Sequence, residues 1–496
     1  MTEVDVAIIG YDLTGKVLAE QLLSAGHRVA VVDRYAEARP RSRAVEYDHE
    51  IKRMFYAMGL ADEVDKISRP MGHFTWYSAT WQVLHDFDES RPSISGGPSG
   101  FFLDQHALER ILEDRLTRHE HLVRRLGFEA LAVEERGDHA EITLAPFDQD
   151  AATTSAEKPR LLTARFVVGA DGAASITRAA IGSEWRDFGG DQDWLVVDVE
   201  PTAPNLDLPD AAQWCNPARP TRLLPAGVKN RRWEFMVLPG ENPEGLARPE
   251  AVWRLLSDWM TPDDGVLLQH DVHTFQTRLA RGWRRGRLLI AGQAAHLLPP
   301  VSGQGMSSDL RDVWMLSWLL DRVLKGTSPD TLLDSYEPAR APHVEALIQA
   351  SLKVDELLCM TDPASAAGRD ASLLRGERPP QVKPPDLSGG LLRDKDPVAG
   401  RLMPHDKVGA HRLDDLTGRA FALLLRPGAQ IIPAQEKRLA ALGVVPITAH
   451  EGRLAAVLAE TGRAAILVRP DFYAYGSASD IVALPSLLDD LEAALG

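Results

Sequence analysis

Cysteine is nearly absent from this 496-residue chain: Cys215 and Cys359 stand far apart and form no C-x-x-C pair. That argues against a disulfide framework or a thiolate metal site, so no metal is expected, and it points to a reducing, cytoplasmic setting. No apolar run approaches the ~18 residues that a membrane span requires. The first apolar strand begins within a few residues of Met1, so no secretory leader is expected. Positive charge is also in deficit, with 55 Lys and Arg against 71 Asp and Glu and a net charge of −16. Nucleic acid and anionic membranes are therefore not expected as partners. Local basic clusters such as Arg231-Arg232 and Arg284-Arg285 keep small acidic ligands open. There is no internal repeat, and 44% hydrophobic with 25% charged residues is ordinary for a globular chain of two or three domains.

What is present begins with a βαβ pattern. Val6-Ala7-Ile8-Ile9 reads as a buried parallel strand, residues 16–25 continue at helical spacing, and Val29-Ala30-Val31-Val32-Asp33 reads as the second strand. Between them, Gly10-Tyr11-Asp12-Leu13-Thr14-Gly15 has the form of a dinucleotide-binding loop with Asp12 at the second glycine position. That glycine lets a pyrophosphate approach the backbone at the positive end of the helix. A carboxylate there is favourable to the helix by ~0.3–1 kcal/mol, and it is expected to repel a bound pyrophosphate.

Helices are predicted around 48–59 and 105–118, and a strand over 165–168 leads into Gly169-Ala170-Asp171-Gly172. Residues 193–274 alternate like strands separated by turn clusters, a sheet laid against the first unit. A strand over 287–292 is followed by helices over 306–325 and 337–360. The Pro-rich stretch near 378–385 reads as an extended linker, and about 100 residues beyond it form a separate α/β unit. Its strands are expected at 420–425, 444–448 and 464–468, with a final helix at 484–495.

Three distant segments then align: the βαβ loop, Gly169-Ala170-Asp171-Gly172, and Gly292-Gln293-Ala294-Ala295-His296 with Pro299-Pro300 and Gly303-Gln304-Gly305. With Arg43-Ala44-Val45, Gln105 and the tail Val468-Arg469-Pro470-Asp471, they resemble the single-component FAD-dependent aromatic hydroxylases, the hydroxyphenylpropionate and polyketide hydroxylases in particular. The resemblance implies an α/β architecture: a Rossmann-like FAD-binding fold with an inserted mixed β-sheet substrate domain and a C-terminal thioredoxin-like domain. The corresponding division is 1–185 with 276–367, 186–275, a linker at 368–395, and 396–496 without cysteines. It also implies that Gly10, Gly15, Asp33 (suited to the adenosine ribose), Arg43, Gln105, Asp171 and Gly303 would hold FAD if it is bound.

The chain departs from the family at several polar positions. Asp12 and Leu13 replace Gly and Pro, Gln293 replaces an Asp that binds the ribityl chain, and Ala174 and Met315 replace Asn. Ser307 and Asp309 stand where Asn and Gly are common. Each lost hydrogen bond to a charged or buried group is worth ~1.5–3 kcal/mol. These departures lead to the expectation of no tightly bound cofactor. They also suggest a non-oxidative cyclase that closes a ring in a largely apolar polyketide-like substrate by holding it in a reactive conformer. His296, Gln293 and Arg43 would polarise the reacting group. The alternatives are an FAD- and NAD(P)H-dependent hydroxylase of a phenol or aromatic polyketide, and a non-catalytic scaffold. A homodimer is compatible with either enzyme.

Overall fold

The computed structural model of the chain describes residues 3–37, 44–155, 158–203, 206–300 and 303–496. At its centre lies a nine-stranded sheet in which Val4–Ile9 pairs in parallel with both Val29–Asp33 and Arg160–Gly169. Leu122–Leu126 and Leu288–Ile290 extend the parallel part on either side. Val6, Ile8, Val31, Phe166, Val168 and Leu289 are fully buried, as a sheet covered on both faces demands. The helices Leu13–Ser24, Gln105–Leu116 and Gln304–Leu324 belong to this unit.

The second sheet has seven strands, in the order Gly265–Phe275, Gln192–Pro201, Asn230–Met236, Thr221–Ala226, Ala212–Trp214, His73–Tyr77 and Val83–Asp88. Its last two strands come from residues 73–88, ahead of the segment in which the alternating pattern is conspicuous. One face carries Leu195, Val197, Trp233 and Phe235, which pack with Val252 and Leu256 of the helix Pro249–Leu256. Trp214 and Trp233 both belong to this apolar cluster. The opposite face buries Asp198, Arg222, Arg232 and Glu234 beside Trp194, Val196 and Leu224.

The stretch at 368–395 is not wholly extended, because the helix Pro363–Leu374 occupies its start. Asp362 caps that helix through the Ser365 N–H at 2.8 Å, Pro363 opens it, and Ala366 and Leu373 are buried beneath it. Beyond Lys407 lies a separate four-stranded sheet with its helices. Phe421–Leu425 pairs in parallel with Val444–Thr448 and antiparallel with Ala465–Val468, which pairs with Ala474–Ala478.

Buried charge docks this unit. The Arg53 guanidinium forks onto Asp414 with both bonds at 2.7 Å and donates to the Met403 carbonyl at 2.7 Å. Phe472, held at φ +74°, lies 3.9 Å beneath the same guanidinium and 5.6 Å from the Trp314 ring. Tyr473 Oη donates to Glu50 at 3.1 Å. Among the described residues no helix is long and apolar enough to cross a membrane.

Removing one partner of a buried ion pair strands the other charge, at ~3–5 kcal/mol. Arg53→Met is therefore expected to lower unfolding stability by roughly that amount, and to do so first at the C-terminal unit. Urea melts combined with limited proteolysis would measure this; an unchanged midpoint would mean that the pair does not hold the unit in place.

Candidate functional site

The loop after the first strand is tightly fixed. Gly10 has φ +103°, and a Cβ there would sit 2.1 Å from the Ala170 carbonyl oxygen; on Gly15 it would sit 2.0 Å from the Gly10 carbonyl oxygen. Only glycine fits either position. Asp12 is exposed and caps its own helix, its carboxylate accepting the Thr14 N–H at 3.2 Å. Asp33 accepts the Tyr11 N–H and the Tyr35 N–H, each at 2.9 Å, which ties the loop to the end of the second strand. Each carboxylate oxygen keeps a further lone pair for a hydroxyl.

Asp171 follows the strand Arg160–Gly169 and accepts the Ile176 and Thr177 N–H groups at 2.9 and 3.2 Å. Burial raises its pKa, against the lowering effect of hydrogen bonds from Ser175 and Thr177. Gln105 accepts the Ala44 N–H at 2.8 Å and donates to Glu109 at 2.8 Å; Glu109 in turn pairs with the buried Lys16 at 3.3 Å. Lys16 was not singled out in the sequence, where it reads as one more polar residue on an amphipathic helix. Arg43 lies outside the described residues.

The helix Gln304–Leu324 starts at Gly303, with φ +61° and no side-chain cap among the described residues. A Cβ on Gly305 would meet nothing within 4 Å. Behind this end runs a buried polar cluster. His296 is fully buried, with Nε2 2.6 Å from Asp312 and Nδ1 3.7 Å from Asp309. Asp312 also accepts the Gly292 N–H at 3.1 Å and Arg340 Nε at 2.8 Å. Burial opposes its charge, but His296 and Arg340 outweigh that and hold its pKa below the usual range.

Asp309 is different. Burial raises its pKa to about 7, helped by the neighbouring Asp312 and Asp12 carboxylates and opposed by His296 and a hydrogen bond from Gln293. The structure thus brings Gln293, His296 and Asp12 to one cluster through Asp309. The fully buried imidazole of His296 stands between the Asp309 and Asp312 carboxyl groups.

On the other side of the Gly303 segment stands Glu46, whose carboxylate would lie 2.8 Å from a Cβ on Gly303. It pairs at 2.8 Å with Arg222, which also reaches Glu234 and the Pro300 carbonyl, each at 3.2 Å. Neither Glu46 nor Arg222 was flagged by motif, since their pairing spans 176 residues.

Residues 3–351 match a family described as the FAD binding domain. A probable NADH-specific resorcinol 4-hydroxylase of Rhodococcus jostii (strain RHA1) is 30% identical over 99% of this chain and 95% of its own. The chain belongs to the FAD-dependent aromatic hydroxylases. Another relative of this hydroxylase-family chain, a 3-(3-hydroxy-phenyl)propionate/3-hydroxycinnamic acid hydroxylase of Burkholderia cenocepacia (strain HI2424), is 31% identical over 84% of this chain and 78% of its own. A crystal structure of aklavinone-11 hydroxylase with FAD and aklavinone superposes with a TM-score of 0.82 over 100% of this chain and 99% of that one, at 23% identity. That likeness is one of fold.

Family membership overturns two expectations. FAD, not the absence of a cofactor, is what an FAD-binding-domain chain with hydroxylase relatives points to, and the cyclase reading has no counterpart among those relatives. The physical reason lies in what the replaced side chains do. Asp12 turns back onto the Thr14 N–H, and the contacts such a loop offers a pyrophosphate are backbone N–H groups and the helix end, which no side-chain replacement removes. With Gly10, Gly15 and the uncapped helix start at Gly303 in place, the residues present fit FAD.

The Asp309 pKa of about 7 lies above the ~3.9 of an unfolded aspartate. The stability that its neutral form contributes is therefore present below about pH 4 and is lost as pH rises through about 7. Asp309→Asn stays neutral throughout, so its melting temperature is expected to gain on wild type between about pH 5 and pH 8. Thermal melts across that range would show it; a pH-independent difference would mean that Asp309 is ionised throughout.

Proposed function

We propose that this chain is an FAD-dependent hydroxylase of a phenolic aromatic compound, drawing electrons from NADH or NADPH. The observation that carries this reading is the near full-length match to a probable NADH-specific resorcinol 4-hydroxylase. The chemistry FAD supplies when bound is delivery of one atom of dioxygen to an electron-rich ring at the expense of a reduced nicotinamide.

The chain's own residues bind, orient and exclude water. The backbone between Gly10 and Gly15 would take the pyrophosphate, Asp33 the adenosine ribose, and Gln293 a ribityl hydroxyl as amide donor. Gln105 and Asp171 brace the loops on either side, and Gly303 opens the helix whose N-terminus would help hold the cofactor. Arg43 is assigned to the same site. His296 and Asp312 position Gly292 and with it Gln293. In this reading residues 1–185 with 276–367 form the cofactor unit and 186–275 the greater part of the sheet over the substrate. Residues 396–496 are a thioredoxin-like unit without thiols. The substrate is a small molecule.

Protein loaded with FAD is expected to turn yellow, to consume NADH or NADPH several-fold faster when a phenol is added in air, and to release a product heavier by one oxygen atom. Flavin absorbance, nicotinamide oxidation and mass spectrometry would follow the three. A protein that retains no added FAD, or a product of unchanged mass formed without oxygen, would sink the proposal.

A further inference from the structure

Asp309 stands where two segments of the cofactor unit meet. A Cβ on Gly292 would lie 3.0 Å from Thr14 Cγ2 and 3.3 Å from Asp309 Cγ. The carboxyl group thus packs against the turn that carries Gln293, beside the start of the helix Leu13–Ser24. It is only 4% exposed. Two of its neighbours are themselves carboxylates: Asp12, which caps the first helix, and Asp312, one turn along its own helix.

The other groups around it, among the described residues, come from two further elements. His296 holds Nε2 2.6 Å from Asp312, and Arg340 donates Nε to the same carboxylate at 2.8 Å. Tyr336, on the helix of Arg340, is kept neutral by burial and by the nearby Asp312 and Asp309. Asp309 itself receives a hydrogen bond from Gln293. Its Oδ1 has no partner, and 3.7 Å away stands His296 Nδ1, buried and also without one. With the Nε2 proton given to Asp312, Nδ1 presents a lone pair. A proton on Asp309 therefore has an acceptor facing it, and the acid form is the one that its surroundings complete.

We infer that this chain takes up one proton together with FAD, and that the Asp309 carboxyl group holds it. This rests on the reading above, in which the loop from Gly10 to Gly15 takes the pyrophosphate and Gln293 a ribityl hydroxyl. The pyrophosphate is an anion, and it would arrive beside a buried carboxyl group that already has Asp12 and Asp312 as neighbours. A carboxylate in a low dielectric gains affinity for a proton when negative charge is added nearby. Protonation removes that repulsion, and the proton is drawn from solution. With a starting pKa of about 7, Asp309 is the group in this cluster that can respond near neutral pH. Affinity for FAD is then full below about pH 6, where Asp309 is already neutral, and falls as pH rises through about 7. A glycine, the residue common at this position in the family, would demand no proton.

Calorimetric titration of the full chain with FAD, in phosphate and in Tris at the same pH, counts the protons from the difference in heats. Wild type is expected to take up close to one proton per FAD at about pH 8 and almost none at about pH 6, with Kd rising about tenfold between them. Asp309→Asn and Asp309→Gly are each expected to bind FAD without uptake, with Kd changing less than about twofold over that range. At the higher pH, the infrared band of a protonated carboxyl group, marked by isotope-labelled aspartate, is expected to grow as FAD binds to wild type and not to either variant. Proton uptake that persists in a folded Asp309 variant would give the proton to another group, His296 first, and overturn the inference. FAD binding by wild type with no proton uptake would overturn it too, and leave the hydroxylase reading standing. If the protein binds no FAD at either pH, both fall together.

Discussion

Arg311 and Asp312, neighbours on the helix Gln304–Leu324, carry opposite charges into the centre of the molecule, and most of the site hangs on them. Arg311 Nε reaches Glu50 at 2.6 Å, and its Nη2 reaches Asp48, fixing the helix to the first unit. Asp312 fixes the opposite side through His296, Arg340 and the Gly292 N–H. Glu50 also accepts from Tyr473, so the C-terminal unit joins the same network. Such a network costs desolvation to build and strands charge when broken. Its benefit is geometric: it sets where the N-terminus of the helix stands relative to the loop around Gly292 and Gln293.

That frame explains how the chain tolerates replaced polar contacts around a cofactor site. Asp12 is absorbed as a helix cap, and Gln293 and Asp309 answer one another by a hydrogen bond. Met315 lies against Arg469, 3.6 Å from its Nη2, where an amide would otherwise stand, so that position serves the docking of the C-terminal unit. Asp12, Gln293 and Met315 look like lost ligands in one dimension and have local partners in three. Counting lost side-chain bonds overstated the damage because the cofactor frame in this fold is largely backbone.

The seven-stranded sheet divides its labour by face. Its outer face buries Trp233, Leu195 and Val197 under the helix Pro249–Leu256, and that packing stabilises it. Its inner face keeps two arginines and their carboxylate partners out of water, where well-packed apolar residues would often be no less stable.

Much of the architecture was legible in the chain itself. Apolar runs with period two or none marked the parallel strands at Val6 and Val29, helical spacing marked the long helix, and Gly10 and Gly15 marked a turn that only glycine can make. The ordered motifs were enough to point to the family. What the sequence could not carry was the environment of each polar side chain, which depends on residues tens to hundreds of positions away. Asp12 read both as a carboxylate that favours its helix and as a charge facing a phosphate, and in the fold it caps the Thr14 N–H. The chain alone left His296 open between a structural and a polarising imidazole, and it lies fully buried beside Asp312; Arg222 carried no signal until Glu46 met it across 176 residues. Local periodicity and steric rules are written into consecutive residues, whereas burial, ion pairing and charge balance are properties of neighbours that only the folded chain brings together.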